Sequence, residues 1–228
     1  MTPPPLPKIR TYVYKDIRPV AALTKTFVIL YAIVAIALLA GLAMQWELFH
    51  RDGFTAEEAQ ANDNFMALVN YFRVGTYVLT GVSVMVWTYR AHTNARAQSA
   101  VGLTTEPGVA CVSYVIPFAN FWVPFQCMKE LWRHTFAQSE TKGADTSALL
   151  GGWWTAWLFS LFLGVYADKF IKIKDLPSGI YATEVWIMQT SCSVTAALLL
   201  GRIISRISAD QASRQMLATL PRADGAIS

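Results

Sequence analysis

Six polar residues near the middle of the chain are the strongest candidates for chemistry. Arg90 and Asn94 are four residues apart, as are Gln126 and Glu130, and side chains at that spacing share one face of a helix. An ion pair between Arg90 and Glu130 would neutralise two charges next to apolar sequence. The alternative is that Arg90 reaches lipid phosphates while Glu130 is solvated. The candidates for a polar network or binding site are Tyr89, Arg90, Asn94, Asn120, Gln126 and Glu130.

Metal-binding and catalytic signatures are missing from the sequence. His50, His92 and His134 stand singly, so no histidine pair at helical spacing supports a metal site. A site that combines His92 and His134 with Glu130 is the one arrangement left open. No nucleophile elbow, zinc-protease, P-loop or dinucleotide-binding motif occurs. The three cysteines are widely spaced in apolar surroundings and predict buried free thiols. We therefore expect a protein that is not an enzyme and holds no metal or cofactor.

The composition indicates an integral membrane protein. Of the 228 residues, 54% are hydrophobic and only 15% are charged, whereas charged residues make up about 25% of a soluble domain. The net charge is only +4, and the basic residues form no stripe interleaved with aromatic rings, which argues against nucleic acid as a partner. Basic residues beside apolar runs instead indicate contacts with membrane lipids.

Four apolar segments predict transmembrane helices, so the predicted fold class is all-α. The predicted spans are 27–48, 69–89, 149–170 and 180–202. Each is close to the roughly 20 residues that a helix needs to cross a hydrocarbon core about 30 Å thick. They belong to a membrane domain, 27–206, that follows an N-terminal segment, 1–26. A C-terminal tail, 207–228, is predicted to begin as a continuation of the last helix and to be disordered from Pro221 onward.

The stretch 107–136 is apolar but contains residues that interrupt a helix. Pro117 and Pro124 each remove a backbone donor and disfavour helix before them. From Phe121 onward, apolar residues recur every three or four positions, which is typical of a helix that lies at a membrane interface. We predict an interrupted re-entrant or interfacial helical segment, with a proline-kinked fifth span as the alternative.

The distribution of lysine and arginine favours a segment that does not span. If 107–136 enters and leaves on one side, 14 of these residues share the side of both termini and four lie on the other, with Arg73 left over. If the segment spans, the best division is ten against eight. Because cytoplasmic loops retain lysine and arginine, the sequence predicts four spans with cytoplasmic N- and C-termini.

Several residues near the ends of the predicted spans are expected to anchor the protein at the membrane interface. Arg73 lies inside the span 69–89, and an intramembrane charge is a functional-site candidate. It is only four residues from the outer end, however, where it can reach water or meet Asp63 or Glu58. Tryptophan rings favour the same zone. The predicted anchors are Arg73, Trp87, Trp132, Trp153 and Trp154.

The order of these motifs resembles a known family. The chain reads Trp87-Thr-Tyr89-Arg90-Ala91 with Asn94 close behind, then Ile116-Pro117, Asn120, Trp122, Pro124, Gln126, Met128, Glu130-Leu131-Trp132 and a Trp153-Trp154 pair. This order is similar to the bacterial membrane family known only as domain of unknown function 4328, over about residues 65–206. The resemblance implies a multi-helix protein of the bacterial cytoplasmic (inner) membrane, and it brings no known activity.

Two functions fit these observations. The small soluble portions, the 13% of aromatic residues and the missing catalytic motifs favour a non-catalytic accessory or scaffold subunit that packs against a larger membrane complex. The alternative is a protein that binds or transports a small molecule or lipid at a polar site around 115–132. A transporter with inverted repeats is less favoured, because no matching interrupted segment occurs in the other half. The expected partners are membrane lipids and a membrane protein or a second copy of the chain.

Overall fold

The computed structural model describes residues 11–98, 103–136 and 145–219, with no account of the side chains of 145–147. None of the described residues lies in a strand, and the predicted all-α class is confirmed. The expectations for the first ten residues and for a disordered tail from Pro221 lie outside the described residues.

Four long helices and two short ones make up the described chain. The long helices are α1 (Arg18–His50), α2 (Ala56–Ala97), α5 (Asp145–Phe170) and α6 (Leu176–Thr219). Between α2 and α5 lie α3 (Pro107–Val112), a single turn of 3-10 helix (Ala119–Phe121) and α4 (Val123–Phe136). Helix α6 runs without a break to Thr219, which agrees with the helical continuation predicted beyond the last span.

Three helices are long and apolar enough to cross a membrane, which indicates a membrane protein. They are α1, α5 from Ala148 onward, and α6, and they contain three of the four predicted spans. The fourth, 69–89, lies in α2, which is not one of the three. Polar residues such as Asn70 and Arg73 lower the mean hydropathy of that helix.

Consecutive long helices run in opposite directions. The hydroxyl of Thr24 donates to the Ser83 carbonyl at 3.1 Å, so the start of α1 lies beside the end of α2. The hydroxyl of Thr183 donates to Gln45 Oε1 at 3.3 Å, so the end of α1 lies beside the start of α6. Helix α5 then returns as α6 through the short connection at 171–175. The outcome is an up-and-down bundle in which α1 and α6 form the central pair.

The two ends of the bundle differ. One end, called here the hairpin end, holds the connections 51–55 and 171–175 and the helix turns next to them. The other, called here the capped end, holds residues 11–17, the last turns of α2, both short helices and the part of α6 beyond Arg202. Helix α4 contacts α2, α5 and α6 there. The short helices therefore close the bundle at one end only.

The main hydrophobic core lies at the capped end. Met128, Leu131 and Ile203 are fully buried there, and residues of α1, α2 and α5 complete the cluster. A smaller cluster around Leu38 and Leu42 lies nearer the hairpin end. The position of the larger core shows that α4 is an integral part of the fold.

The structure corrects the role of four predicted interface anchors. Trp87, Trp132, Trp153 and Trp154 are each less than 9% exposed and belong to the main core. Their spacing at the ends of apolar runs suits both a lipid interface and a contact between helices, and the packing of the helices in the main core buries these rings. They are core residues, and the anchoring prediction for them is wrong.

The predicted interruption of 107–136 is present in the structure. Helix α3 ends at Val112, and α4 begins at Val123 with Pro124 in its first turn, where a missing backbone donor does no harm. Between the two helices, Phe118 has a φ of 65°. The apolar stripe of α4 packs on the protein core through Met128 and Trp132, whereas the sequence pattern indicated a membrane interface.

Candidate functional site

Asn94, one of the six predicted polar residues, holds the N-terminal segment against α2. Its Oδ1 accepts a hydrogen bond from the Lys15 backbone N–H at 3.0 Å, and its Nδ2 donates to the Lys15 carbonyl at 2.8 Å. The side chain is fully buried, as is Ile17 two residues beyond Lys15. Both polar atoms of the amide are thus occupied by backbone groups, and Asn94 positions residues 11–17.

Glu130 ties α4 to the loop before α3. Its carboxylate accepts hydrogen bonds from the Thr104 hydroxyl and from the Thr105 backbone N–H and hydroxyl, both at 3.2 Å. Among the described residues no ion pair joins Glu130 to Arg90. The pairing hypothesis is wrong, because two threonines of an irregular loop supply the donors.

The loop before α3 also forms an ion pair, and its partner is Arg96. Its Nη2 lies 3.5 Å from Glu106 Oε1 and donates to the Thr105 carbonyl at 3.0 Å. The guanidinium also lies 5.6 Å from the centre of the Tyr12 ring, whose hydroxyl donates to Glu106 Oε2 at 2.7 Å. The sequence analysis did not single out Arg96, although it is the last arginine or lysine before the interrupted segment and follows Asn94 by two positions.

The other four predicted residues do not join this network. Tyr89 is exposed, and Arg90, Asn120 and Gln126 are half-buried. None of the four makes a side-chain hydrogen bond with another described residue. The predicted set therefore divides into two residues that fasten the capped end and four that have no such role.

His92 is a buried histidine inside the capped end. Burial lowers its pKa to about 4, although the negative charge of Glu130 acts in the opposite direction. The imidazole is therefore neutral at pH 7. Among the described residues no group of three histidine, cysteine or acidic side chains is placed to hold a metal ion.

The end of α6 is fastened to α2 and α4 by further hydrogen bonds. Trp87 Nε1 donates to Ser208 Oγ at 2.9 Å, and Gln211 Nε2 donates to the Ala91 carbonyl at 2.9 Å. Arg214 donates to the backbone carbonyl of Thr135 at 2.9 Å. These contacts join residues far apart in the sequence and do not follow from any local pattern. The polar side chains of the capped end thus serve mainly to hold its elements together.

A cavity of about 730 Å³ lies at the hairpin end, between α1, α2 and the start of α6. Arg73, predicted as an interface anchor, lines it and donates through Nε and Nη2 to Asn70 Oδ1 at 3.0 and 2.9 Å. It forms no ion pair with either expected acid among the described residues, and Glu58 pairs with Arg51 instead, at 2.8 Å. The cavity was not predicted, because its lining residues are far apart in the chain.

The chain was also compared with known proteins. The family described as "Domain of unknown function (DUF4328)" matches residues 50–209, which include α2, the interrupted segment, α5 and most of α6. Searches of curated proteins and of solved structures found no match. Because the matched range covers well over half of the 228 residues, the chain belongs to the DUF4328 family.

Proposed function

We propose that the protein crosses the cytoplasmic membrane of a bacterium four times, with both termini in the cytoplasm and 107–136 as a re-entrant segment. The capped end then faces the cytoplasm and the hairpin end the outside. The distribution of lysine and arginine supports this orientation, and the antiparallel order of the four long helices supports placing both termini on the same side of the membrane.

The surface of α2 supports its assignment as a fourth span. Leu68, Phe72, Val78, Val82 and Val86 are all about half exposed or more. Large apolar side chains exposed along this length of a soluble helix would form an unusually extensive patch. In a bilayer these side chains would contact lipid. A helix of moderate mean hydropathy can span the membrane when its other side packs on a neighbouring helix, here α1.

A ring contact supports the re-entrant segment. Phe121, at the end of the 3-10 turn, stacks on Phe162 of α5 with ring centres 5.8 Å apart. Phe162 is 14 residues beyond Ala148, about 21 Å along the helix. The segment thus reaches well down the bundle before α4 returns to the capped end, and irregular backbone at that depth is tolerated where it packs on protein.

We propose that the protein is a non-catalytic accessory or scaffold subunit that binds another membrane protein through the tip of this segment. Phe118 carries the proposal: its φ of 65° is rare for an aromatic residue, and its side chain is 85% exposed. With a ψ of −45°, Phe118 has a sparsely populated backbone conformation that costs about 1 to 3 kcal/mol, and such strain collects at functional sites. Fluid lipid would not require the Phe118 ring to be held in this strained conformation. A protein partner with a defined binding surface would require the ring in one fixed position.

The alternative site around 115–132 for a small molecule or lipid has less support. Two of the residues predicted for this site, Asn94 and Glu130, are already hydrogen-bonded to other groups of the chain. A ligand at this place would have to displace contacts that hold the capped end together.

Purification of the tagged full chain from native membranes in mild detergent tests the proposal. We expect a partner protein in fixed ratio. The variant Phe118→Gly removes the ring and suits a positive φ, so we expect unchanged or higher stability with a roughly fivefold or greater loss of partner, the effect of about 1 kcal/mol at a contact.

Phe170→Gly is the matched control, since it removes a ring that is 71% exposed at the hairpin end and should leave the partner yield unchanged. A monodisperse wild-type particle without a partner would contradict the proposal. So would a Phe118→Gly variant that retains its partner.

A further inference from the structure

We propose that the cavity at the hairpin end binds one phospholipid with a zwitterionic headgroup that ends in a primary amine, such as phosphatidylethanolamine. The proposal goes beyond the accessory role and does not depend on it; of the proposed function it requires only the arrangement of the four long helices across the membrane. It rests on three groups of lining residues: a cation, a set of hydrogen-bond acceptors and an apolar wall.

Arg73 is the group suited to the lipid phosphate. A guanidinium has five N–H donors, and Asn70 Oδ1 engages only the Nε and Nη2 atoms. No carboxylate of a described residue lies within ion-pair distance of Arg73, although Asp63 and Asp168 line the same cavity. The charge of Arg73 is thus available to an anion, and Asn70 orients the guanidinium.

Asn62, Asp63 and Asp168 are suited to an ammonium group. Asn62 lines the cavity and is only 4% exposed, and its Oδ1 has no hydrogen-bond partner among the described residues. Leaving a buried acceptor unsatisfied is unfavourable, so this oxygen needs a donor. The two carboxylates add negative charge, and a primary ammonium supplies both N–H donors and positive charge. A choline headgroup has no N–H donor to offer.

The order of these groups along α2 matches a zwitterion. Asn70, to which Arg73 is bonded, and Asp63 are seven residues apart, which is two helical turns and about 10 Å along one face. Asp63 is nearer the start of α2 and thus nearer the hairpin end. The cation-binding group therefore lies toward water and the phosphate-binding group lies deeper. This is the order that a phospholipid headgroup presents.

The apolar wall favours a lipid over a soluble zwitterion. Leu38 and Leu42 of α1, Met66 of α2 and Trp186 of α6 line the cavity. Leu38 and Leu42 belong to the smaller core cluster, and Met66 and Trp186 pack against it. Acyl chains would contact this wall. A soluble headgroup analogue would bring the charges but leave the apolar surface uncovered.

Native mass spectrometry of the purified full chain tests the proposal. The protein is mixed with phosphatidylethanolamine, phosphatidylcholine or phosphatidylglycerol of identical acyl chains, and soluble glycerophosphoethanolamine is added as a competitor. We expect one bound phosphatidylethanolamine, retained about tenfold more strongly than the other two lipids, the effect of one hydrogen bond to a charged group. The soluble competitor should not displace it.

Variants separate the two halves of the site. Arg73→Gln should weaken all three phospholipids, because each contains the phosphate. Asp63→Asn and Asn62→Leu should reduce only the preference for phosphatidylethanolamine over phosphatidylcholine. Lys169→Gln is the matched control: it removes an exposed charge next to Asp168 that does not line the cavity, and it should change nothing.

Equal retention of the three lipids by the wild-type chain would overturn the proposal, and this comparison needs no variant to fold. Displacement by glycerophosphoethanolamine would point to a soluble zwitterion and would also overturn it. An unchanged headgroup preference in both Asp63→Asn and Asn62→Leu would refute the assignment of the amine site.

Discussion

His92 makes the stability of the capped end depend on pH. Burial lowers the pKa of this histidine from 6.5 to about 4 in the folded protein, so the unfolded chain binds a proton more readily. The stabilising effect of the neutral ring is therefore complete above pH 6.5 and is lost progressively between pH 6.5 and 4.

The substitution His92→Leu should remove this dependence. At pH 4.5 the wild-type free energy of unfolding should fall by about 2 to 3 kcal/mol relative to pH 7 through this group alone, and the variant should lack that part of the loss. Chemical unfolding in detergent at both pH values measures the difference. His50→Leu, at an exposed position, is the control, and an equally steep loss in His92→Leu would contradict the assignment.

The six predicted polar residues show that a local sequence pattern can identify a side chain that needs a partner but cannot identify the partner. Asn94 and Glu130 were found because polar groups beside apolar spans need partners. The partners themselves, the Lys15 backbone and a pair of threonines, lie in irregular segments without periodicity. No spacing rule brings such segments to a given side chain, and this is why the Arg90–Glu130 hypothesis was wrong.

Gly41 allows helices α1 and α2 to approach closely. A Cβ atom placed there would lie 2.9 Å from Met66 Cγ and 3.1 Å from the Phe65 ring, closer than such atoms normally approach. We expect Gly41→Ala to lower the free energy of unfolding by about 1 to 3 kcal/mol, the usual effect of overpacking. Unfolding in mixed micelles monitored by circular dichroism measures it.

Gly81→Ala in α2 is the matched control for this prediction. A Cβ atom at Gly81 would meet no atom within 4 Å. Because alanine favours helix over glycine, the change should raise stability by about 0.5 to 1 kcal/mol. The opposite signs of the two effects distinguish a steric contact from helix propensity, and a stabilised Gly41→Ala variant would refute the close approach.

The helices themselves were predictable, whereas their contacts were not. Long apolar runs and the prolines at 117 and 124 indicated four long helices and a broken segment, because they act through local backbone chemistry. The direction of the α4 stripe and the burial of Trp87 and Trp132 depend on which neighbour covers them. An apolar face looks the same in sequence whether lipid or protein covers it.

The two ends of the bundle differ in how they are packed. The capped end is filled with core side chains and hydrogen bonds that join the N-terminal segment, α4 and the end of α6. The hairpin end has a cavity with charged and apolar walls. In the proposed topology the tip of the re-entrant segment would bind a protein, while the cavity at the opposite end of the bundle would bind a lipid.

The proposed topology predicts which positions a membrane-impermeant maleimide reaches in intact cells. In a chain without its three native cysteines, Asp52→Cys and Lys172→Cys at the hairpin end should be labelled from outside. Ala97→Cys and Arg133→Cys, on either side of the interrupted segment, should be labelled only after permeabilisation, because a re-entrant segment returns the chain to the same side. Labelling of Arg133→Cys but not Ala97→Cys in intact cells would establish a fifth span instead. Arg18→Cys, at the exposed start of α1, is the internal control. It lies on the inner side whether 107–136 re-enters or spans, so its labelling in intact cells would mean that the reagent had crossed the membrane.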